Sequence, residues 1–108
     1  MDIISLNKMM FQTSQRIQKA TTEIYKMARE KAETEFEYRK ALGMEITRLR
    51  AEGMQATLIP DVARGNTADL KLKRDLAEGM YKSAIESLRA LRAELSALQI
   101  ISRFQSDI

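Results

Sequence analysis

Residues 53–66 read GMQATLIPDVARGN. The stretch holds Pro60, the single proline of 108 residues, and two of the four glycines, Gly53 and Gly65. On either side lie long segments rich in Ala, Glu, Lys, Arg, Met and Leu, all good helix formers. Gly53 can end a helix by taking left-handed backbone. Pro60 lacks an amide hydrogen and disfavours helical geometry at Ile59, so it cannot continue that helix. It can open a short turn, Pro60 to Arg64, which Gly65 closes. The pattern predicts an all-α chain that reverses here. Helix 1 runs over about 2–54, the turn over about 55–66 and helix 2 over about 67–105. The expectation is one coiled-coil-like antiparallel hairpin forming a single domain over 1–108.

Outward from the turn, helix 2 shows two heptad rows. One is Tyr81, Leu88, Leu95, Ser102; the other is Ala77, Ala84, Leu91, Leu98, Gln105. Asn66 or Thr67 fits its N-cap, with Asp69 in the first turn. Helix 1 carries Ile3, Leu6, Met10, Ile17, Ala20, Ile24, Ala28, Ala32, Phe36, Leu42, Ile46 and Leu49, with a break in phase between Ile24 and Ala32. Asp2 or Ser5 can cap its start. If Met54 and Thr67 flank the turn, paired residue numbers total about 121. Gly43 and Gly79, which total 122, then face each other in close backbone approach. That register leaves the first dozen residues, with Met9, Met10 and Phe11, as an overhang.

Apolar residues make up 44% of the chain, too many for a lone pair of helices to bury. Met27, Tyr38, Met44, Leu76, Ile85 and Ile101 read as flanks that a second hairpin covers, so a homo-oligomer is expected. A dimer forming a four-helix bundle is the first choice. Met9, Met10, Met27, Met44, Met54 and Met80 read as core filler.

The chain has no His and no Cys, which removes the usual general base, the thiolate ligands and the disulfides. No Gly-rich phosphate loop is present. Glu30, Glu33 and Glu37 could reach a metal only by gathering with other carboxylates across a bundle. The expectation is a non-enzyme with no cofactor and no metal. Met1 to Phe11 is interrupted by Asp2, Asn7 and Lys8, and no apolar run reaches the ~18 residues of a membrane span. A soluble cytoplasmic protein is expected.

Charge is +3, from 18 basic and 15 acidic residues, and is spread evenly. Residues 1–54 hold 10 basic and 8 acidic groups; residues 67–108 hold 7 and 6. Opposite charges alternate at helical spacing, as in Lys31, Glu35 and Arg39, the pattern of a solvated face. Two functional readings follow. In the first, the chain is an interaction protein whose turn residues Leu58, Ile59, Pro60, Asp61, Val62 and Arg64 dock another protein or else plug the bundle end. In the second, Arg48, Arg50, Arg64, Lys71, Lys73 and Arg74 gather near the turn and bind nucleic acid.

The segment Arg48 to Gly65 (RLRAEGMQATLIPDVARG), with Ala77-Glu78, Tyr81-Lys82-Ser83-Ala84 and Leu98-Gln99-x-Ile101, resembles short helical-hairpin proteins of temperate phages and prophages of Gram-positive bacteria. The resemblance covers most of the chain. It implies a viral setting among early genes, near recombination and replication functions, and no activity or catalytic residue. In that setting the first reading is an accessory factor or inhibitor of a phage or host protein, and the second a nucleic-acid-binding accessory factor in phage recombination or replication. Small secreted hairpins with a Trp-x-Gly turn share the length, but this chain has no Trp.

Overall fold

The computed structural model describes residues 2–106. Among these, three helices account for nearly all the chain: α1, Ile3–Ala51; α2, Ile59–Asn66; and α3, Ala68–Ser106. α1 and α3 pack against each other, consistent with a hairpin. The chain divides into two compact units, one made of Met1–Lys26 with Lys82–Ile108, the other of Met27–Tyr81.

α1 starts at an Asp2 cap. Asp2 Oδ1 accepts from the Ser5 amide at 2.7 Å, and that bond holds the Asp2 carboxyl below its ordinary pKa. α1 ends as the sequence predicts, at Gly53, whose φ is +82°. The Gly53 amide donates to the Arg50 carbonyl and the Met54 amide to the Leu49 carbonyl, at 3.0 and 3.1 Å. Together these bonds satisfy the last carbonyls of the helix, and Met54 folds back onto Leu49.

The turn is shorter than the sequence suggests. Ile59–Asn66, read above as part of the turn, is helical, with Pro60 in its first turn. A proline there loses nothing, because the first amides of a helix have no partner inside it. Gly65 closes nothing; it lies within α2. Only Thr67 separates α2 from α3, and its hydroxyl donates back to the Ala63 carbonyl at 2.8 Å instead of capping α3. The reversal is therefore confined to residues 52–58.

That shift moves the register. In the unit of 27–81, Lys73 meets Glu37 at 3.4 Å, Arg74 lies over the Tyr38 ring at 4.6 Å, and Lys31 lies over Tyr81 at 5.9 Å. These numbers total 110 to 112. In the other unit, Arg16 and Glu94 approach to 3.8 Å and total 110. The expected total of 121–122 is wrong by three helical turns, because the reversal is centred near residue 55 and not near residue 60. Gly43 and Gly79 are not partners. A Cβ on either would meet nothing within 4 Å, so close approach does not explain them. The expected overhang also shrinks. Residue 106 falls level with about residue 5, and Leu6 is fully buried.

Helix 2's two rows are buried or half-buried throughout, from Ala77 to Gln105. Helix 1 differs from expectation. Its seam keeps a continuous alternation of three and four through Ile24, Met27, Lys31, Thr34 and Tyr38, while Ala32 and Phe36 face solvent. The apparent break in phase arises because polar groups fill the seam. Thr34 is 3% exposed and donates its hydroxyl to the Glu30 carbonyl at 2.8 Å. Lys31 lays its stem along the seam with its ammonium over Tyr81. Tyr38, expected on a flank, is 7% exposed beneath Arg74. Met27 is half-buried in the same seam, Ile85 is half-buried, and Met44, Leu76 and Ile101 are exposed.

Candidate protein-docking site

The unit of 27–81 carries the turn. Its core is Leu49, Ile59 and Ala63, with Leu42, Ile46, Met54 and Val62 packed around it. Ile59 is 5% exposed, so α2 is pinned to α1 by that side chain. Val62 is half-buried beside it. Leu58, its neighbour in sequence, is 53% exposed, and Pro60, Asp61 and Arg64 also face solvent. The six candidate docking residues thus divide. Ile59 and Val62 serve the core; Leu58, Pro60, Asp61 and Arg64 remain at the surface.

A cleft of about 370 Å³ opens beside this core, lined by Ile46, Arg50, Met54, Ala56, Ile59 and Pro60. Its walls are apolar apart from Arg50. The backbone around it is fixed at both ends, by the Gly53 cap and by the Leu58 amide donating to Gln55 at 3.0 Å. Asn66 donates to Glu45 Oε1 at 2.9 Å, tying the end of α2 to α1. Arg48 bonds both Glu45 and Glu52. The Arg48 guanidinium and then the Asn66 amide hold the Glu45 carboxyl below its ordinary value of 4.5, and the same pairing raises the Arg48 pKa.

The six basic candidates divide as well. Arg48 is paired with Glu45 and Glu52, Arg64 with Asp61 at 3.5 Å, Lys73 with Glu37, and Arg74 with Asp75 at 2.9 Å. Arg50 and Lys71 have no ion pair among the described residues. Four of the six charges are cancelled locally, so no concentrated positive field forms. Among the described residues no three carboxylates are placed to hold a metal. Glu33 pairs with Arg29, and Glu37 with Lys73. No described helix is long and apolar enough to cross a membrane.

No protein family, curated protein or solved structure matches the chain. The site therefore rests on its own residues. Sequence reasoning singled out Leu58 and Pro60 but missed the cleft. Ile46 and Met54 signal helix packing, and nothing local marks them as walls of a surface opening.

Proposed function

We propose that the chain is a non-enzymatic helical protein that acts by binding another protein at the α1–α2 turn. Leu58 is the anchor, Pro60 extends the apolar contact, and Arg50 is the charged contact at the cleft. The observation that carries this reading is the contrast between adjacent residues: Ile59 is 5% exposed and Leu58 is 53% exposed. A large apolar side chain held outward on fixed backbone loses little freedom on binding, so less of what its burial contributes is offset by ordering. The role proposed is an accessory factor or inhibitor acting on another protein, a phage or host protein if the viral setting implied by the resemblance holds. The local cancellation of Arg48, Arg64, Lys73 and Arg74 counts against the nucleic-acid alternative.

The test is quantitative affinity capture from the native host with the wild type, Leu58→Asp and a control, Phe36→Asp. Phe36 is 66% exposed and lies away from the turn in sequence. A partner lost by Leu58→Asp and kept by the control supports the reading. Retention of every partner by Leu58→Asp, with an unchanged melt, removes it.

A further inference from the structure

Along the sequence the charge is even, but the fold divides it unevenly. Residues 27–81 hold 10 basic and 10 acidic groups. Residues 1–26 with 82–108 hold 8 and 5, which is the whole of the +3. The described carboxylates of this second unit are committed locally. Asp2 accepts from the Ser5 amide and hydroxyl, Glu23 pairs with Lys26, Glu86 with Arg89 and Glu94 with Arg16. Lys8, Lys19, Arg92 and Arg103 are left with no ion pair among the described residues. In the register set by Arg16 and Glu94, Lys8 shares a level with Arg103, and Lys19 with Arg92 about 16 Å further along.

The same unit carries large apolar side chains on its outside. Ile4 is 82% exposed, Phe11 64%, Ile100 51% and Phe104 71%. Buried Leu6 and Thr13 lie two residues beyond Ile4 and Phe11, which is the opposite side of α1. Buried Leu98 lies two residues before Ile100, so Ile100, and Phe104 a turn later, stand on the back of α3. Met9 and Ile101, which share a level, are exposed as well. Positions 3–12 and 99–106 hold two charged residues in eighteen, in a chain that is 31% charged, and both are cations, Lys8 and Arg103. A helix surface meant for water is not built this way.

The placement says what covers it. A protein partner seated on one face of the pair cannot reach the backs of both helices, whereas an acyl layer closes round whatever enters it. From Ile4 to Phe11, α1 rises about 10 Å, which matches the ~5–10 Å to which apolar groups sink at the headgroup boundary. Lys8 and Arg103 can lay their stems along the apolar surface and hold their charge among phosphates. Lys19 and Arg92, on long side chains, add to the attraction from above. No described helix is long and apolar enough to cross a membrane, so the contact is with one leaflet. We propose that this end of the unit docks on an anionic lipid surface, with Ile4, Phe11, Ile100 and Phe104 inserted and Lys8, Lys19, Arg92 and Arg103 meeting lipid phosphates. Leu58 and the turn cleft take no part, so the lipid site and the protein-docking site stand or fall separately.

The test is co-sedimentation with vesicles of phosphatidylcholine, alone or with about one-third phosphatidylglycerol. Each basic group near an anionic surface adds to binding, so the mixed vesicles should bind the wild type about tenfold or more tightly than the neutral ones, and high salt should remove most of that difference. Phe11→Asp with Phe104→Asp should reduce binding to the mixed vesicles about tenfold or more, with unchanged helical circular dichroism, because both residues are exposed. Lys19→Glu with Arg92→Glu should abolish the preference for anionic lipid. The chain has no Trp, so a single Trp reports depth cleanly. On mixed vesicles the emission of Phe104→Trp should shift to the blue and be quenched by brominated acyl chains, and that of Phe36→Trp, in the unit of 27–81, should do neither. A wild type that stays in the supernatant with both vesicles overturns the proposal; if it then runs as an oligomer that Phe11→Asp with Phe104→Asp breaks, a second copy covers this end instead. Binding that survives the double Asp variant, or an unquenched Phe104→Trp on sedimented vesicles, overturns it as well.

Discussion

Ile59 and Leu58 are adjacent, isomeric in side chain and opposite in placement, so their alanine variants isolate what burial contributes at the turn. Ile59 is 5% exposed and touches a core in which Leu49 is 2% and Ala63 0% exposed. Truncating a buried Ile to Ala costs about 2–5 kcal/mol, more where the surroundings cannot collapse. Here they can. Met54 is half-buried, flexible and beside an open cleft, so it can move into the space. The expected cost for Ile59→Ala is therefore at the lower end, about 2–3 kcal/mol. For a chain of this size that lowers Tm by roughly 10–20 °C. Leu58 already exposes half its surface, and Leu58→Ala should cost under about 1 kcal/mol, a shift of a few degrees. Thermal melts followed by circular dichroism, with urea titration as a second measure, read both. All samples must be at one protein concentration, because association makes Tm concentration-dependent. Equal shifts for the two variants would refute the assignment of Ile59 to the core and of Leu58 to the surface, and with it the basis of the docking site.

Three further outcomes follow from the geometry. Gly43→Ala should stabilise the chain by about 1 kcal/mol in urea titration, since Ala restores helix propensity and its Cβ meets nothing within 4 Å; a loss would mean that the helix needs the bare backbone. Arg74→Ala should lower the urea midpoint by removing the guanidinium 4.6 Å from the Tyr38 ring centre, and Arg74→Lys should recover less than half of the loss, because an ammonium is not planar. Glu45 has a folded pKa below 4.5, so its contribution is complete above that value and fades as pH falls through the lower folded value; a carbon-detected NMR titration should find its midpoint below 4.5, and Arg48→Ala should move it upward.

Much of the hairpin was legible because its cues are local. Gly53 capped α1 where expected, since left-handed backbone is a property of one residue. The heptad rows of α3 were readable because Ala and Leu fill them. The α1 seam was not, because Lys31 and Thr34 occupy positions that an apolar search skips; what makes them tolerable is the Tyr81 ring and the Glu30 carbonyl, one across the helix pair and one a turn away. The register had a readable signal that glycine matching obscured. Arg16 with Glu94 and Lys73 with Glu37 carry opposite charges at one common total, and pairing charges across the turn would have found it. Of the turn candidates, the sequence could not divide Leu58 from Ile59, because their composition is the same.

What the sequence by itself determined is periodicity, helix content and the place where the chain must reverse, because these depend on propensity and on contacts within a few residues. What only the tertiary structure decided is level and exposure. Pro60 is compatible with ending one helix or beginning another, and the choice is made by burying Ile59 against Leu49. That choice moves every cross-pair by three turns, sets Arg74 over Tyr38, and leaves Leu58 facing water. Burial is a property of the partner surface as much as of the side chain, and the partner surface lies far away in sequence.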